Sequence, residues 1–388
     1  MLIATGRPPW PPWRGDQLRA SQMVEALATA HEVTLLAPAA EGEPPPGAGV
    51  QRQTYRLRRP AFAAVAAAPA LRQGWPLQAL PFRQPDLGRR LRELAPRHDL
   101  VVLQLVRLLP HLGDVGTTPL VVDLVDALSL NAATRARVDH PLLRPLLRHE
   151  AARLQASEER MLSAARRGLV VCARDRDALA AAHPHQASRL AVAPVAVAAP
   201  PDVITAPVAR LDAPTLMFSG NLGYFPNRDA LRHLLGEIWP ALRRAFPAAC
   251  LLVAGDRPPA SLARRLARAG GTLVARPPDL RALLATAAVA VAPLRCGSGV
   301  PLKVLDAWAA GVPVVASPFA AAGAGGEGER DLLVASTADE WVAQVRRLLT
   351  DAALRERLLA AARTRLAELA PERVYPLLVR LATGTEAE

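Results

Sequence analysis

The sequence predicts an α/β protein made of two successive doubly wound domains, and three observations carry that prediction. Short apolar runs, the mark of strands buried on both faces, alternate along the chain with stretches of helical period. The alternation runs through twice, with a proline-bearing break at Ala198–Pro214 between the two passes. The length, 388 residues, is two domains' worth at about 150 residues each. The expected division is an N-terminal domain over 1–200, a C-terminal domain over 201–366 and a terminal helical segment over 367–388. A return of that last segment to the first domain is one course open to it.

The first pass opens with strand Leu2–Thr5 and a loop rich in Pro and Trp. Helix Asp16–Thr29 follows, with Leu18, Met23, Val24 and Leu27 spaced for one face. Strand Glu32–Ala37 comes next, then apolar runs at Leu100–Gln104, Leu120–Leu124 and Gly168–Cys172 with Arg-rich helices between them. The segment Tyr55–Leu94, where Arg interleaves with Leu, Ala and Trp, fits two readings. It is a surface helix pair that touches lipid, or a solvated helix face whose apolar stripe lies in the core.

The second pass predicts strand Thr215–Ser219, helix Asn227–Phe246, strand Cys250–Ala254, helix Ser261–Ala269 and strand Thr272–Ala275. Helix Leu280–Thr286, strand Ala288–Ala292, helix Leu302–Ala310 and strand Pro313–Ala316 complete it, and helices rich in Ala, Leu and Arg close the chain. Two such domains are expected to face a central cleft in which strand C-terminal ends meet a ligand.

Composition excludes several classes. The longest apolar runs fall well short of the roughly 18 residues a membrane-spanning helix needs, and no cationic start with an apolar stretch marks a signal peptide. A soluble, cytoplasmic protein is expected. Cys172, Cys250 and Cys296 lie far apart in no metal or disulfide pattern. The net charge of +12 is spread thinly, and aromatics are only 4%, which argues against a nucleic-acid partner. Phosphorylated small molecules or an anionic membrane surface fit it better.

Two stretches carry chemistry. Gly220-Asn221-Leu-Gly-Tyr-Phe-Pro-Asn227 follows a strand and precedes a helix, so backbone amides and a helix N-terminus are free to meet a phosphate. Asn227 acting only as a helix cap is the plainer alternative. Further on, Gly297-Ser298-Gly299 runs into a helix bearing Lys303 and Asp306 on one face. The turn amides suit a diphosphate, Lys303 its charge, and Asp306 a ribose or sugar hydroxyl. Of 47 basic residues Lys303 is the one lysine, so a compact ammonium is wanted where every other position accepts guanidinium. An ordinary surface Lys–Asp pair is the alternative.

The stretch from Gly297 to Val315 resembles the donor-binding signature of retaining GT-B glycosyltransferases, family-4-like: Gly-Ser-Gly-x-x-x-Lys-x-x-Glu-Ala-x-Ala-x-Gly-x-Pro-Val-Val. Gly220-Asn221 with Pro226-Asn227 is similar to the Gly-Asn…Pro-Asn form of the first C-domain loop, found in exopolysaccharide and lipid-glycan transferases. Pro8…Gly15-Asp16…Arg19 is similar to their N-terminal glycine loop, which would lay Gly15 against the diphosphate. Asp123-Leu-Val-Asp126-Ala-Leu-Ser129 resembles an Asp-x-x-Asp-x-x-Ser element of the same subgroup. There an Asp could orient an acceptor hydroxyl or steady developing positive charge, helix capping being the alternative.

The chain departs from the pattern at three places. Asp306 replaces the signature Glu, Ser298 stands where many members carry a second Glu, and Asn221 and about Pro226 stand where relatives place Arg and Lys. Lys303, with Arg228 or Arg295, is left to meet the diphosphate. Arg174-Asp175-Arg176-Asp177 is similar to the family's Ser-x-x-Asp turn and reads as structural.

The resemblance implies a GT-B fold and transfer of a sugar from a UDP- or GDP-type donor to an acceptor hydroxyl with retention, in surface polysaccharide or glycolipid assembly. It implies Asp123, Asp126 and Lys303 as catalytic, and Gly15, Gly220, Asn221, Arg295, Gly297, Ser298, Gly299, Lys303 and Asp306 as donor-binding. No cofactor and no metal are expected. The expected partners are the nucleotide sugar and a glycan, glycolipid or small-molecule acceptor, with peripheral contact at the inner membrane face as a further expectation and no nucleic acid. A weakened homologue acting as a binding or scaffold protein, and a sugar-nucleotide epimerase on the same fold, are the alternatives.

Overall fold

The structure, a computed structural model, describes residues 1–12, 14–39, 47, 49–58, 74–198 and 213–384. The predicted break at Ala198–Pro214 lies almost wholly outside the described residues, as does the middle of the segment Tyr55–Leu94. The chain forms two compact units, Met1–Ala196 with Pro371–Glu388, and Val197–Ala370.

Unit 1 is built on β1 (Leu2–Ala4), α1 (Gly15–Ala28), β2 (Val33–Pro38), β3 (Val50–Tyr55) and α2 (Pro85–Leu94). It continues with β4 (Val101–Gln104), β5 (Leu120–Val125), α3 (Leu128–Val138), α4 (Arg144–Ala164), β6 (Arg167–Val170), α5 (Ala173–Ala182) and β7 (Leu190–Val192). Its seven described strands lie in the order β3-β2-β1-β4-β5-β6-β7. Every pairing is parallel, with Ile3 opposite Leu35 on one side and Val102 on the other. Parallel strands cannot be joined by hairpins, so each pair needs a crossover, and the winding reverses between β1 and β4.

Unit 2 holds β8 (Thr215–Ser219), α6 (Phe225–His233), α7 (Trp239–Ala245), β9 (Cys250–Gly255), α8 (Leu262–Arg268), β10 (Gly271–Ala275), α9 (Leu280–Leu284) and β11 (Val289–Ala292). Then come α10 (Leu302–Ala309), β12 (Val314–Ala316), α11 (Pro318–Ala324), β13 (Leu333–Val334), α12 (Ala338–Thr350) and α13 (Ala352–Glu368). The strand order is β10-β9-β8-β11-β12-β13, again parallel throughout, and reverses between β8 and β11. This is the GT-B fold class, with a Rossmann-like parallel sheet in each unit.

The predicted strands fall within a residue or two of their places; most are mainly apolar runs buried on both faces, while β10 is partly exposed. Edge strands β3, β7 and β13 were not predicted. β3 reads Val-Gln-Arg-Gln-Thr-Tyr, half exposed and without an apolar run, and β13 has two residues. The predicted single helix Asn227–Phe246 starts two residues earlier and passes through a π-turn at Leu234–Ile238. Pro240 follows directly; its ring would collide with the carbonyl four residues back, and a wider turn relieves that.

The last helix, α14 (Pro371–Thr383), belongs to unit 1, where Val374, Leu378 and Ala382 pack with Met23, Val24 and Leu27 of α1. Tyr375 adds a hydrogen bond from its hydroxyl to Glu25 at 2.6 Å. Of the segment Tyr55–Leu94, α2 buries Leu87 and Leu91 and turns its arginines outward, the core-stripe reading of this helix.

Candidate functional site

In unit 2 the loops after β8 and β11 flank the point where the winding reverses, the position at which parallel α/β sheets bind ligands. The first loop turns sharply at Gly220, whose φ is +142°. It lies against the end of β9 so closely that a Cβ on Gly255 would stand 1.7 Å from the Gly220 carbonyl oxygen. Asn221 spends its side-chain oxygen on the Gly223 N–H at 3.1 Å, holding its own turn. Its carbonyl accepts from the Asn227 side chain at 2.8 Å.

Lys303, on the first turn of α10, reaches under this loop. Its ammonium donates to the Asn227 side-chain oxygen at 2.5 Å and stands 4.2 Å from the centre of the Phe218 ring. A Cβ on Gly220 would come within 3.3 Å of it. Burial lowers the Lys303 ammonium to about 7, with the Asp306 charge pulling the other way. Burial likewise raises the Asp306 carboxyl to about 6, against Arg281 and Lys303. An ammonium held this far from water by an amide and a ring gains strongly from an arriving anion.

The second loop is compact. Gly297 and Gly299 are buried and have φ of +132° and +68°, so the loop needs glycine at both positions, with half-buried Ser298 between them. Ser317, capping α11, donates to the Leu294 carbonyl at 2.5 Å and ties the loop to the next βα unit. Arg295, predicted to serve a donor, instead forks onto buried Asp229 at 2.8 and 3.0 Å. Its guanidinium is committed to holding α6 against the β11 loop. Asn227 is not the helix cap of the plainer alternative: Tyr224 is the N-cap, and the Asn227 side chain links Lys303 to the β8 loop.

In unit 1, Gly15 opens α1 after the β1 loop. Gln104 at the end of β4 donates to the Asp16 carbonyl at 2.9 Å, tying that helix start to the sheet across the winding reversal. Asp123, predicted to be catalytic, lies in the interior of unit 1. It is 1% exposed and both its oxygens face Arg19, itself 0% exposed, at 3.1 and 3.4 Å. An interior ion pair of this kind fixes α1 to β5 and holds both oxygens away from solvent.

Asp126 is half-buried just beyond β5, after Val125, which has φ of +65°. That conformation is strained for a β-branched residue, and it turns the chain out of the sheet ahead of Asp126. Two buried acids hold the start of α3: Asp175 accepts from the Ala127 N–H and Glu158 from the Ser129 N–H, each at 2.9 Å. Burial raises the Glu158 carboxyl to about 7, opposed by the Ser129 hydrogen bonds. Asp175, in the turn read as structural, has that role here. Phe218, Gly255, Asp229 and Glu158 had no signal in the sequence, because each works through a partner distant in the chain.

Residues 213–351 match the family model described as Glycosyl transferases group 1. No curated protein matches the chain. Among solved structures, the chain is similar to Anabaena HepE in complex with UDP and glucose, with 13% identity, 99% of each chain covered and a TM-score of 0.68. Sucrose-phosphate synthase from Thermosynechococcus elongatus is similar at 16% identity over 99% of this chain and 98% of that one, TM-score 0.70. WaaG, a glycosyltransferase involved in lipopolysaccharide biosynthesis, is similar at 15% identity over 99% and 100%, TM-score 0.68. Among the described residues no helix is long and apolar enough to cross a membrane.

Proposed function

We propose that the chain is a glycosyltransferase that takes a sugar from a UDP- or GDP-type donor and passes it, with retention, to an acceptor hydroxyl. The observation that carries this reading is the chain's one lysine, buried at the winding reversal of unit 2 between two glycine loops. The group 1 match over 213–351 spans that site, and the similar HepE structures hold UDP, UDP and glucose, and UDP-glucose.

In this reading the diphosphate lies against the Gly297–Gly299 loop beside Lys303, while the Gly220 N–H stays bonded to the Ala254 carbonyl at 3.1 Å and shapes the neighbouring β8 loop. The Lys303 ammonium neutralises the charge that grows on the leaving diphosphate as the glycosidic bond lengthens. Asp306 accepts from a ribose or sugar hydroxyl. A phosphate oxygen of the departing diphosphate takes the acceptor proton on the face it leaves, so no protein nucleophile is needed. On unit 1, Asp126 orients the acceptor hydroxyl. No cofactor or metal takes part. The likeness to WaaG favours an acceptor in surface polysaccharide or glycolipid assembly.

The lock of Asp123 onto Arg19 weakens the epimerase alternative, which needs a free acid/base pair. A homologue that binds a donor without transferring it is favoured by the same lock and by the commitment of Arg295 to Asp229. Thermal shift against UDP-, GDP- and dTDP-sugars, with Lys303→Ala in parallel, tests the site. A donor at 100 times its Kd adds about 2.7 kcal/mol of stability. Stabilisation by one nucleotide class, lost in Lys303→Ala, supports the donor site, and release of the nucleoside diphosphate with acceptor extracts separates transfer from binding alone. Indifference to every nucleotide sugar overturns the reading.

A further inference from the structure

We infer that the connection between α3 and α4 is a docking surface for an anionic lipid bilayer. Residues 140–149 read His-Pro-Leu-Leu-Arg-Pro-Leu-Leu-Arg-His, ten residues without an acid. A short helical turn at Pro141–Leu143 leads directly into α4, with the His140 ring accepting from the Leu142 N–H at 3.3 Å. Leu142 is 83% exposed, Leu143 41% and Leu146 50%. Leu142 and Leu146, four residues apart, fall on one side of the helical path.

Six large apolar side chains are exposed among the described residues, and these leucines are half of them. Leu77 makes a fourth at the same place: its N–H and that of Gln78 donate to the Glu150 carboxylate at 2.8 and 3.0 Å, one turn along α4 from Leu146. A concentration of exposed leucines on an otherwise ordinary surface marks a contact surface.

The charges around the leucines decide what the surface fits. No carboxylate pairs with Arg137, Arg144 or Arg148 among the described residues. The nearby acids are already used, Asp139 by Arg135 at 2.8 Å and Glu150 by the two backbone amides. Arg137 and Arg148 line a cleft of about 500 Å³ between α3 and α4, walled with alanines such as Ala133 and Ala151. Leucines that enter an acyl layer beside unpaired guanidiniums that meet phosphates are the pattern of an interfacial anchor. A second copy of the chain fits less well, since a two-fold interface would set these same cations against one another. Nothing in this patch depends on the reaction proposed for the donor loops of unit 2.

The test is flotation of the full chain with vesicles of phosphatidylcholine alone or mixed with phosphatidylglycerol, at low and high salt. Binding to the anionic vesicles, weakened by salt, is expected, with little to the neutral ones. The triple change Leu142→Ser, Leu143→Ser, Leu146→Ser and the pair Arg144→Gln, Arg148→Gln should each lower that binding by about tenfold or more. Equal charge removal from α8 of unit 2, Arg264→Gln with Arg268→Gln, should leave it unchanged. Apart from half-buried Arg144, the altered residues are exposed, and unchanged melting curves verify the fold. Equal binding to neutral vesicles, no binding, or a leucine triple that binds like the wild type overturns the proposal. Self-association without vesicles that the leucine triple abolishes also overturns it, in favour of a second copy as occupant.

Discussion

The Lys303 ammonium donates to the side-chain oxygen of Asn227 at 2.5 Å, and Asn227 hands the contact on to the Asn221 carbonyl at 2.8 Å. This relay suspends the one lysine below the β8 loop. Replacing it with methionine, of similar length, removes a buried charge but orphans the Asn227 oxygen. The first effect is favourable and the second costs about 1–3 kcal/mol, so the net change in unfolding free energy is expected within about 1.5 kcal/mol of zero. Nucleotide-sugar stabilisation should nevertheless vanish. A Lys303→Met protein that unfolds early in urea would make the lysine a structural residue instead.

The depressed ammonium predicts a pH dependence for donor binding. A diphosphate favours the charged lysine, so binding raises its pKa from about 7. Affinity should fall by up to about tenfold per unit above pH 7, until the pKa of the complex is reached. Lys303→Met should abolish the slope, as read by calorimetric titration across pH 6 to 9.

Stability should respond in the opposite sense. Between about 7 and the lysine's ordinary 10.5 the unfolded chain holds a proton that the folded one has lost, so Lys303 makes stability rise with pH in that window. Glu158, raised from 4.5 to about 7, acts the other way: the folded state keeps its proton longer, and the contribution is lost as pH climbs through that range. Glu158→Gln is therefore expected to stabilise the protein at pH 8 and much less at pH 5. Equal effects at both would show that the carboxyl is not protonated when folded.

Asp123 and Asp126 are separated by the kind of loss each should show. Asp123→Asn leaves the Arg19 guanidinium buried without its counter-charge, at about 3–5 kcal/mol of stability. Asp126→Asn, at a half-buried position, should cost less stability than that while lowering turnover. A stable Asp123→Asn protein with lost activity would return that residue to the site.

Gly255→Ala should be more damaging than Gly220→Ala. The first places its Cβ on a backbone oxygen at 1.7 Å, the second meets the Asn227 amide nitrogen at 3.0 Å, a side chain with some freedom. A cost of about 3 kcal/mol or more is expected for Gly255→Ala from strain and displacement of the β8 loop, measured by denaturant unfolding.

Much of this was legible in the residues. Strands β4, β5, β8, β9, β11 and β12 are mainly apolar, a composition that suits a strand covered on both faces, so their sequence states their place. The exception made for Lys303 in an Arg-saturated chain marks a position where guanidinium does not serve. Edge strand β3 was invisible because a solvent-facing strand keeps polar residues, and pairing with β2 alone supplies its identity.

The two parallel sheets, the glycine turns and the singular lysine are readable from the residues, because they follow from local period, backbone freedom and residue type. Which charges are engaged with one another follows from folding. Arg19 and Asp123 lie 104 positions apart, Arg295 and Asp229 66, and Lys303 and Asn227 76. Whether a charged group serves a ligand or holds the fold depends on what burial brings within about 3 Å of it, and no local pattern encodes that neighbour.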